Sequence, residues 1–241
     1  MNWTIHLEVR KDCNQKCKTC NKGFGTGSLQ EGVVSALLAK TKVDKLVLVG
    51  GEPSKNTDIL SILEKEILES NQRPEIEVVS NFVCYKGVWW KRMAKLIQNT
   101  GCKLSVTLKI TKADNTTHIK DRVVLLLKKL GVNIETNTAY CRYIINDGRT
   151  MNNTYIAPVQ RIDALHDAIK QLKRNIAYVT TDGYYIVGSQ WSFKRQELMK
   201  QYSVEMSADH MAQQFEVAGY KAMLKAIELN AHSIVKTSLE V

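Results

Sequence analysis

Proline and aromatic residues are scarce in this sequence, with three prolines and 7% aromatics, and glycine stops at 13 of 241 residues. That scarcity excludes collagenous, low-complexity and linker-like stretches. No apolar run reaches the roughly 18 residues that a membrane-crossing helix requires. Met1-Asn2-Trp3 does not open a charged-then-apolar leader. The expectation is a soluble, cytoplasmic chain without membrane contact. A basic tail is missing too, because Lys170, Lys173, Arg174, Lys194, Arg195 and Lys200 are dispersed. What remains is ordinary globular composition, 44% hydrophobic and 24% charged. It suffices for one well-buried domain with an appendage.

The formal net charge is +10. Such a surplus is either a solvated basic face or a means of holding an anionic partner: a nucleotide, a nucleic acid or an acidic peptide. Six cysteines are present. Three of them, Cys13, Cys17 and Cys20, fall together and the others are scattered, which in a reducing compartment points to metal and away from disulfides.

Short apolar strands alternate with amphipathic helices. Strands are expected at Thr4–Arg10, Lys45–Val49, Glu75–Asn81, Lys103–Ile110 and Asn133–Tyr140. Helices are expected at Leu29–Lys40, Thr57–Ser70, Val88–Gln98, Ile119–Leu130 and Gln160–Lys173. A last strand or hairpin spans about Ile176–Gln190, with Thr181-Asp182-Gly183 as its turn. This order predicts a parallel α/β sheet, and six units build an open, partial (β/α)6 TIM-like barrel over residues 1–190. Ile5, Leu7 and Val9 oppose His6, Glu8 and Arg10 on the first strand, and Leu104, Val106 and Leu108 oppose Ser105, Thr107 and Lys109 on the fourth. Asn133, Glu135 and Asn137 share a face of the fifth. The polar faces predict a wet lumen with helices outside. Residues 191–241 read as a C-terminal helical extension, roughly Ser192–Tyr202 and Ala208–Leu229, without further strand rhythm.

Cys13-Asn-Gln-Lys-Cys17-Lys-Thr-Cys20 follows the first strand directly. Soft thiolates select zinc or iron–sulfur clusters. Structural zinc wants four ligands, usually from two pairs, and no second pair exists here. Three thiolates on a four-iron cluster leave one iron open. A second segment, Val47-Leu-Val-Gly50-Gly51-Glu52-Pro53, ends the second strand.

With these two motifs the chain resembles the radical S-adenosylmethionine superfamily, whose members carry C-x-x-x-C-x-x-C after the first strand of a partial barrel and Gly-Gly-Glu-Pro after the second. The resemblance implies Cys13, Cys17 and Cys20 as ligands of a 4Fe–4S cluster. It also implies S-adenosylmethionine held by Gly50, Gly51, Glu52 and Pro53, with Glu52 accepting from the methionine amino group. By the same resemblance Ser80 and Asn81, in Val79-Ser-Asn, stand where relatives often have Thr-Asn-Gly. Ser105, Thr107, Lys109 and Asn137 stand where polar contacts to ribose and carboxylate are made. Thr19 departs from the aromatic residue common before the third cysteine; Phe24 or the Val179 region would then supply stacking to adenine. An electron donor of flavodoxin or ferredoxin type is implied, and a 5′-deoxyadenosyl radical that takes hydrogen from the substrate.

For the substrate, the net charge favours a nucleobase, nucleotide or nucleic acid. A glycyl-radical activating enzyme, recognised by Thr107-Leu-Lys109 against an Asp-Leu-Lys strand, is the alternative, as is peptide or small-metabolite modification. Cys84, Cys102 and Cys141 read as ordinary buried cysteines, Cys102 at the far end of the fourth strand. Trp89 and Trp90 anchor a helix to the core, and the long segment Cys141–Pro158 reads as a substrate-facing lid. Oligomeric state and the carbon attacked are not encoded legibly.

Overall fold

The computed structural model describes residues 2–14, 26–40, 42–82, 87–110, 117–140, 176–181, 184–187 and 204–205. Its elements are β1 (Trp3–Arg10), α1 (Val33–Lys40), β2 (Val43–Gly50), a 3-10 turn (Pro53–Lys55), α2 (Asp58–Glu69) and β3 (Glu75–Ser80). There follow α3 (Gly87–Thr100), β4 (Leu104–Ile110), α4 (Thr117–Lys129), β5 (Ile134–Tyr140), β6 (Ile176–Val179), β7 (Tyr184–Val187) and β8 (Val204–Glu205). They form a single sheet in the order β5-β4-β3-β2-β1-β6-β7-β8. The six strands β1 to β6 pair in parallel. Each step from β1 to β5 moves one place in the same direction. Right-handed crossovers therefore put α1 to α4 on one face.

That face is the core. Ile5, Leu7 and Val9 of β1, Leu46 and Leu48 of β2, Ile76 and Val78 of β3, and Val106 and Leu108 of β4 are buried together with Leu37, Leu60, Leu63, Met93, Leu96 and Leu127 of the helices. The opposite face carries Glu8, Lys45, Glu75, Glu77, Ser105 and Thr107. The alternation read from the sequence holds, and the fold is the expected partial barrel. Its sixth strand sits beside β1, pairing Thr4 to Leu7 with Ile176 to Val179. The open edge of the parallel array among the described residues is therefore β5.

Local chemistry explains where elements begin. The expected helix from Leu29 starts only at Val33, because Leu29 donates its N–H to the Val9 carbonyl (3.2 Å) and Ser28 bridges Arg10. Gly32, at φ +89°, then turns the chain into α1. The buried Glu66 carboxylate of α2 accepts from the Gly32 and Ser35 backbone N–H groups and so caps α1 from a neighbouring helix. Gln72 accepts from the Val43 N–H (2.8 Å) and donates to the Leu38 carbonyl, closing the other end. Trp89 and Trp90 are each 1% exposed and meet edge to face at 4.7 Å, as their anchoring role requires. Cys102 lies buried before β4, at the end away from the cysteine motif, and burial pushes its thiol pKa up.

The hairpin forms as expected, β6 against β7 on either side of residues 180–183. One correction concerns the C-terminal region. Val204–Glu205 pairs antiparallel with β7, so strand pairing continues past residue 191, where only helices were expected. A two-residue strand borrows its partner from an existing edge and leaves almost no periodicity of its own. The expected helices at 160–173, 192–202 and 208–229, the Cys141–Pro158 segment, Cys84 and Cys141 lie outside the described residues.

The cap supplied by Glu66 is a measurable part of this architecture. Glu66→Ala should cost about 2–3 kcal/mol, since it removes two hydrogen bonds to a charged acceptor and leaves helix donors unpaired. Urea unfolding followed by circular dichroism reads the loss. An unchanged midpoint would show that α1 needs no cap from α2.

Candidate functional site

The C-terminal ends of β1, β2 and β3 meet at one rim of the sheet, the end where parallel α/β folds place their chemistry. Cys13 stands three residues beyond β1 and is partly exposed. Two backbone hydrogen bonds fix its approach: Gly51 N–H to the Arg10 carbonyl (2.7 Å) and Glu52 N–H to the Asp12 carbonyl (3.1 Å). The strands lie so close that a side chain at either glycine is excluded. A Cβ at Gly50, which has φ +133°, would collide with the Arg10 carbonyl oxygen, and one at Gly51 with those of Asp12 and Lys11. Each nearest approach is far inside the 3.0 Å that real Cβ atoms keep. Both obstacles are backbone and cannot swing aside.

Charge completes the clamp. The Asp12 carboxylate pairs with the Arg10 guanidinium and with the Lys55 ammonium of the 3-10 turn, and Arg10 also donates to the Lys55 carbonyl (3.4 Å). On the return side, Lys11 N–H donates to the Gly27 carbonyl at 3.1 Å. The chain thus leaves β1 at Cys13 and comes back beside it at Gly27. Cys17, Thr19, Cys20 and Phe24 fall between these anchors and lie outside the described residues.

Glu52 is 1% exposed. Its Oε1 accepts from Ser54 N–H (3.2 Å), Ser54 Oγ (2.7 Å) and Ser80 Oγ (2.7 Å), and its Oε2 from Asn81 N–H (3.0 Å). The carboxylate ties the end of β2 to the end of β3. Oε1 thus takes three donors and Oε2 one among the described residues. Pro53 is buried and opens the turn that brings Ser54 under Glu52. Asn81 carries its side-chain Nδ2 to 3.1 Å from Asn14 Oδ1 and 3.6 Å from Cys13 Sγ. Phe82, next in sequence, takes φ +56° and stacks on Trp90 at 5.5 Å.

The structure brings together Cys13, Gly50, Gly51, Glu52, Pro53, Ser80 and Asn81. The other expected residues lie along β4 and β5. Ser105 is paired with Glu77 and Thr107 with Val79 in the register, below the rim occupied by Ser80. Their hydroxyls donate to Glu75 and Glu77, each at 2.6 Å, and Lys45 bridges the same two carboxylates at 2.8 and 3.3 Å. Burial pulls the Lys45 pKa down, yet the hydrogen bonds and charges of Glu75 and Glu77 outweigh it and hold the ammonium above its ordinary value. Glu75 is correspondingly held low, burial being outweighed by Lys45 and Ser105. Asn137 is exposed on β5 opposite Thr107, and Lys109 sits opposite Ala139. Val179 itself is fully buried beside Leu7 on the apolar face, while its neighbour Tyr178 pairs with His6 on the polar face.

Sequence reasoning missed Asp12, Asn14, Lys55 and Glu8. The Glu8 carboxylate, 4% exposed, accepts from Tyr178 Oη (3.0 Å) and Thr181 N–H (3.3 Å) and so fastens β6 to β1. No local motif marks Glu8 or Lys55, whose partners come from other elements, and Asn14 lies inside the cysteine motif without a role legible there. Asp12 alone carried a signal, as an acid immediately before a cysteine cluster in a basic chain.

The close approach at Gly51 has a direct test. Gly51→Ala should destabilise the protein by about 3 kcal/mol or more, because backbone must move. Gly32→Ala, at positive φ but with nothing within 4 Å of its Cβ, should cost only about 1–2 kcal/mol. Equal losses in denaturant unfolding would remove the steric account.

Comparison with known proteins places this geometry in a fold. No family model matches the sequence, and no curated protein matches it. Among solved structures, BtrN in complex with AdoMet and 2-DOIA aligns over 95% of this chain and 87% of its own, at a TM-score of 0.56 and 13% identity. BtrN in an open conformation aligns over 77% and 69%, at a TM-score of 0.45 and 12% identity. At such identity the likeness is one of architecture: the chain has the parallel α/β partial-barrel fold seen in BtrN.

Proposed function

We propose that this chain is a radical S-adenosylmethionine enzyme, with Cys13, Cys17 and Cys20 holding a 4Fe–4S cluster beside a cofactor site at Gly50–Pro53. One observation carries the reading. The two motifs are separated by a helix and a strand in sequence, yet the Gly-Gly pair packs directly on the backbone leading to Cys13. The residues fit the group: Cys13 is partly exposed at the strand rim, the side chains of Asn14 and Asn81 lie 3.5 and 3.6 Å from its sulfur, and Glu52 brings a carboxylate to the same rim. The fold seen in BtrN, a structure holding AdoMet, supports the same conclusion.

Held by Cys13, Cys17, Cys20 and Gly50–Pro53, the bound group would supply one-electron reductive cleavage of S-adenosylmethionine and, from it, hydrogen abstraction from a substrate carbon. The chain's residues place and shield these partners. Gly50 and Gly51 set the height of Cys13 above the sheet. Asp12, Arg10 and Lys55 lock the loop entry. Glu52 organises the β2 and β3 ends and presents Oε2 to an ammonium group. A small acidic electron carrier of flavodoxin or ferredoxin type fits the basic balance of the chain.

For the substrate we infer a nucleotide or nucleic acid, and the +10 charge is what supports it. The sheet's polar face contributes Glu8, Glu75, Glu77 and Glu135 against Arg10 and Lys45 among the described side chains, so an anionic substrate would be held by the outer surface and loops. Retention on RNA or DNA should then fall steeply with added salt; salt-independent or absent retention would leave the peptide and small-metabolite readings. Among the described residues no helix is long and apolar enough to cross a membrane.

Anaerobically reconstituted protein should release 5′-deoxyadenosine from S-adenosylmethionine under dithionite, read by chromatography. Cys17→Ala should lose both the cluster absorbance and the product. Full iron content and cleavage in that variant would overturn the assignment.

A further inference from the structure

We propose that Asn81 is a positioning residue that tunes the cluster by hydrogen-bonding the Cys13 sulfur; the proposal rests on the functional reading above. Asn81 follows β3, and its side-chain Nδ2 lies 3.6 Å from Cys13 Sγ, within the range for a donor to sulfur. The residue is held at several points. Its backbone N–H donates to buried Glu52 Oε2 at 3.0 Å. The same Nδ2 donates to Asn14 Oδ1 at 3.1 Å, which fixes the amide with its nitrogen toward the cysteine. Beyond it, Phe82 is locked by its stack on Trp90, the ring planes 2° apart. The amide therefore has little freedom to swing away.

Ligation changes this corner in one direction. The Cys13 thiol stands 3.5 Å from Asn14 Oδ1, within reach to donate its proton. Binding iron removes that proton, and Asn14 loses a donor while Asn81 keeps an acceptor that has become charged. Hydrogen bonds to an anionic acceptor are stronger than neutral ones. When the cluster takes up one electron from an external reductant, no bond to Asn81 forms or breaks, but negative charge on the sulfurs grows. An N–H dipole aimed at Sγ then stabilises the reduced state more than the oxidised one and raises the reduction potential. The Glu52 carboxylate holds the Asn81 backbone in place.

Asn81→Leu keeps the branched shape, though larger, and removes the donor; Asn81→Ser keeps a small polar residue that cannot reach Sγ. Both are reconstituted anaerobically beside wild type, assayed for iron and sulfide, and titrated with dithionite under electron paramagnetic resonance. The variants should carry wild-type iron and a more negative midpoint. The expected tenfold fall in the reduced fraction at a fixed potential corresponds to about 59 mV for a one-electron couple. Equal midpoints at equal iron content would overturn the role of Asn81 alone. Wild-type protein that takes up no iron would overturn the functional reading with it.

Discussion

The structure depends on one close approach: the backbone of Arg10 to Asp12 lies on the backbone of Gly50 and Gly51 with no room for a side chain between them. Parallel neighbours normally keep their spacing to the last ladder bond and then diverge. Here the β1 exit is drawn across the β2 exit instead, by hydrogen bonds from Gly51 and Glu52 and by Asp12 between two cations. The segment that leads to Cys13 gains a rigid root by this means. Under the function proposed above, position is what such a site needs from the protein.

A second layer stabilises the root from beneath. Glu52 is a buried carboxylate whose contacts are hydroxyls and backbone N–H groups. Such a group is tolerable in the interior only because its hydrogen bonds replace water. Those hydrogen bonds reach from the turn after β2 to the end of β3, so one buried carboxylate sets both Ser80 and Asn81. Glu8 does the equivalent on the other side, where Tyr178 and Thr181 bring β6 against β1. The two carboxylates bracket the strand that carries the cysteine motif.

Much of this was legible in the sequence. Five strands and four helices follow from hydrophobic period, and the alternation of Ile5, Leu7 and Val9 with His6, Glu8 and Arg10 identified the buried and the polar faces correctly. The motif residues Cys13 and Gly50–Pro53, singled out for their specific spacing, meet at one rim of the sheet. Other features were hidden for identifiable reasons. The start of α1 depended on a long-range bond from Leu29 to Val9 and on a cap from Glu66, neither of which local propensity records. The placement of β6 beside β1 is a matter of which edge the chain returns to, and residue pattern is silent on that. Ser105 and Thr107 lay on the expected face, but their depth, and their commitment to Glu75 and Glu77, came only from the register.

The central claim is that the two motifs form one site in which a cofactor meets an open iron. Mössbauer spectroscopy on protein reconstituted with isotopically enriched iron tests it most directly, with and without S-adenosylmethionine. The account predicts that a single iron of the cluster shifts when S-adenosylmethionine is added. A spectrum that stays unchanged at saturating S-adenosylmethionine, with the cluster intact, would contradict it.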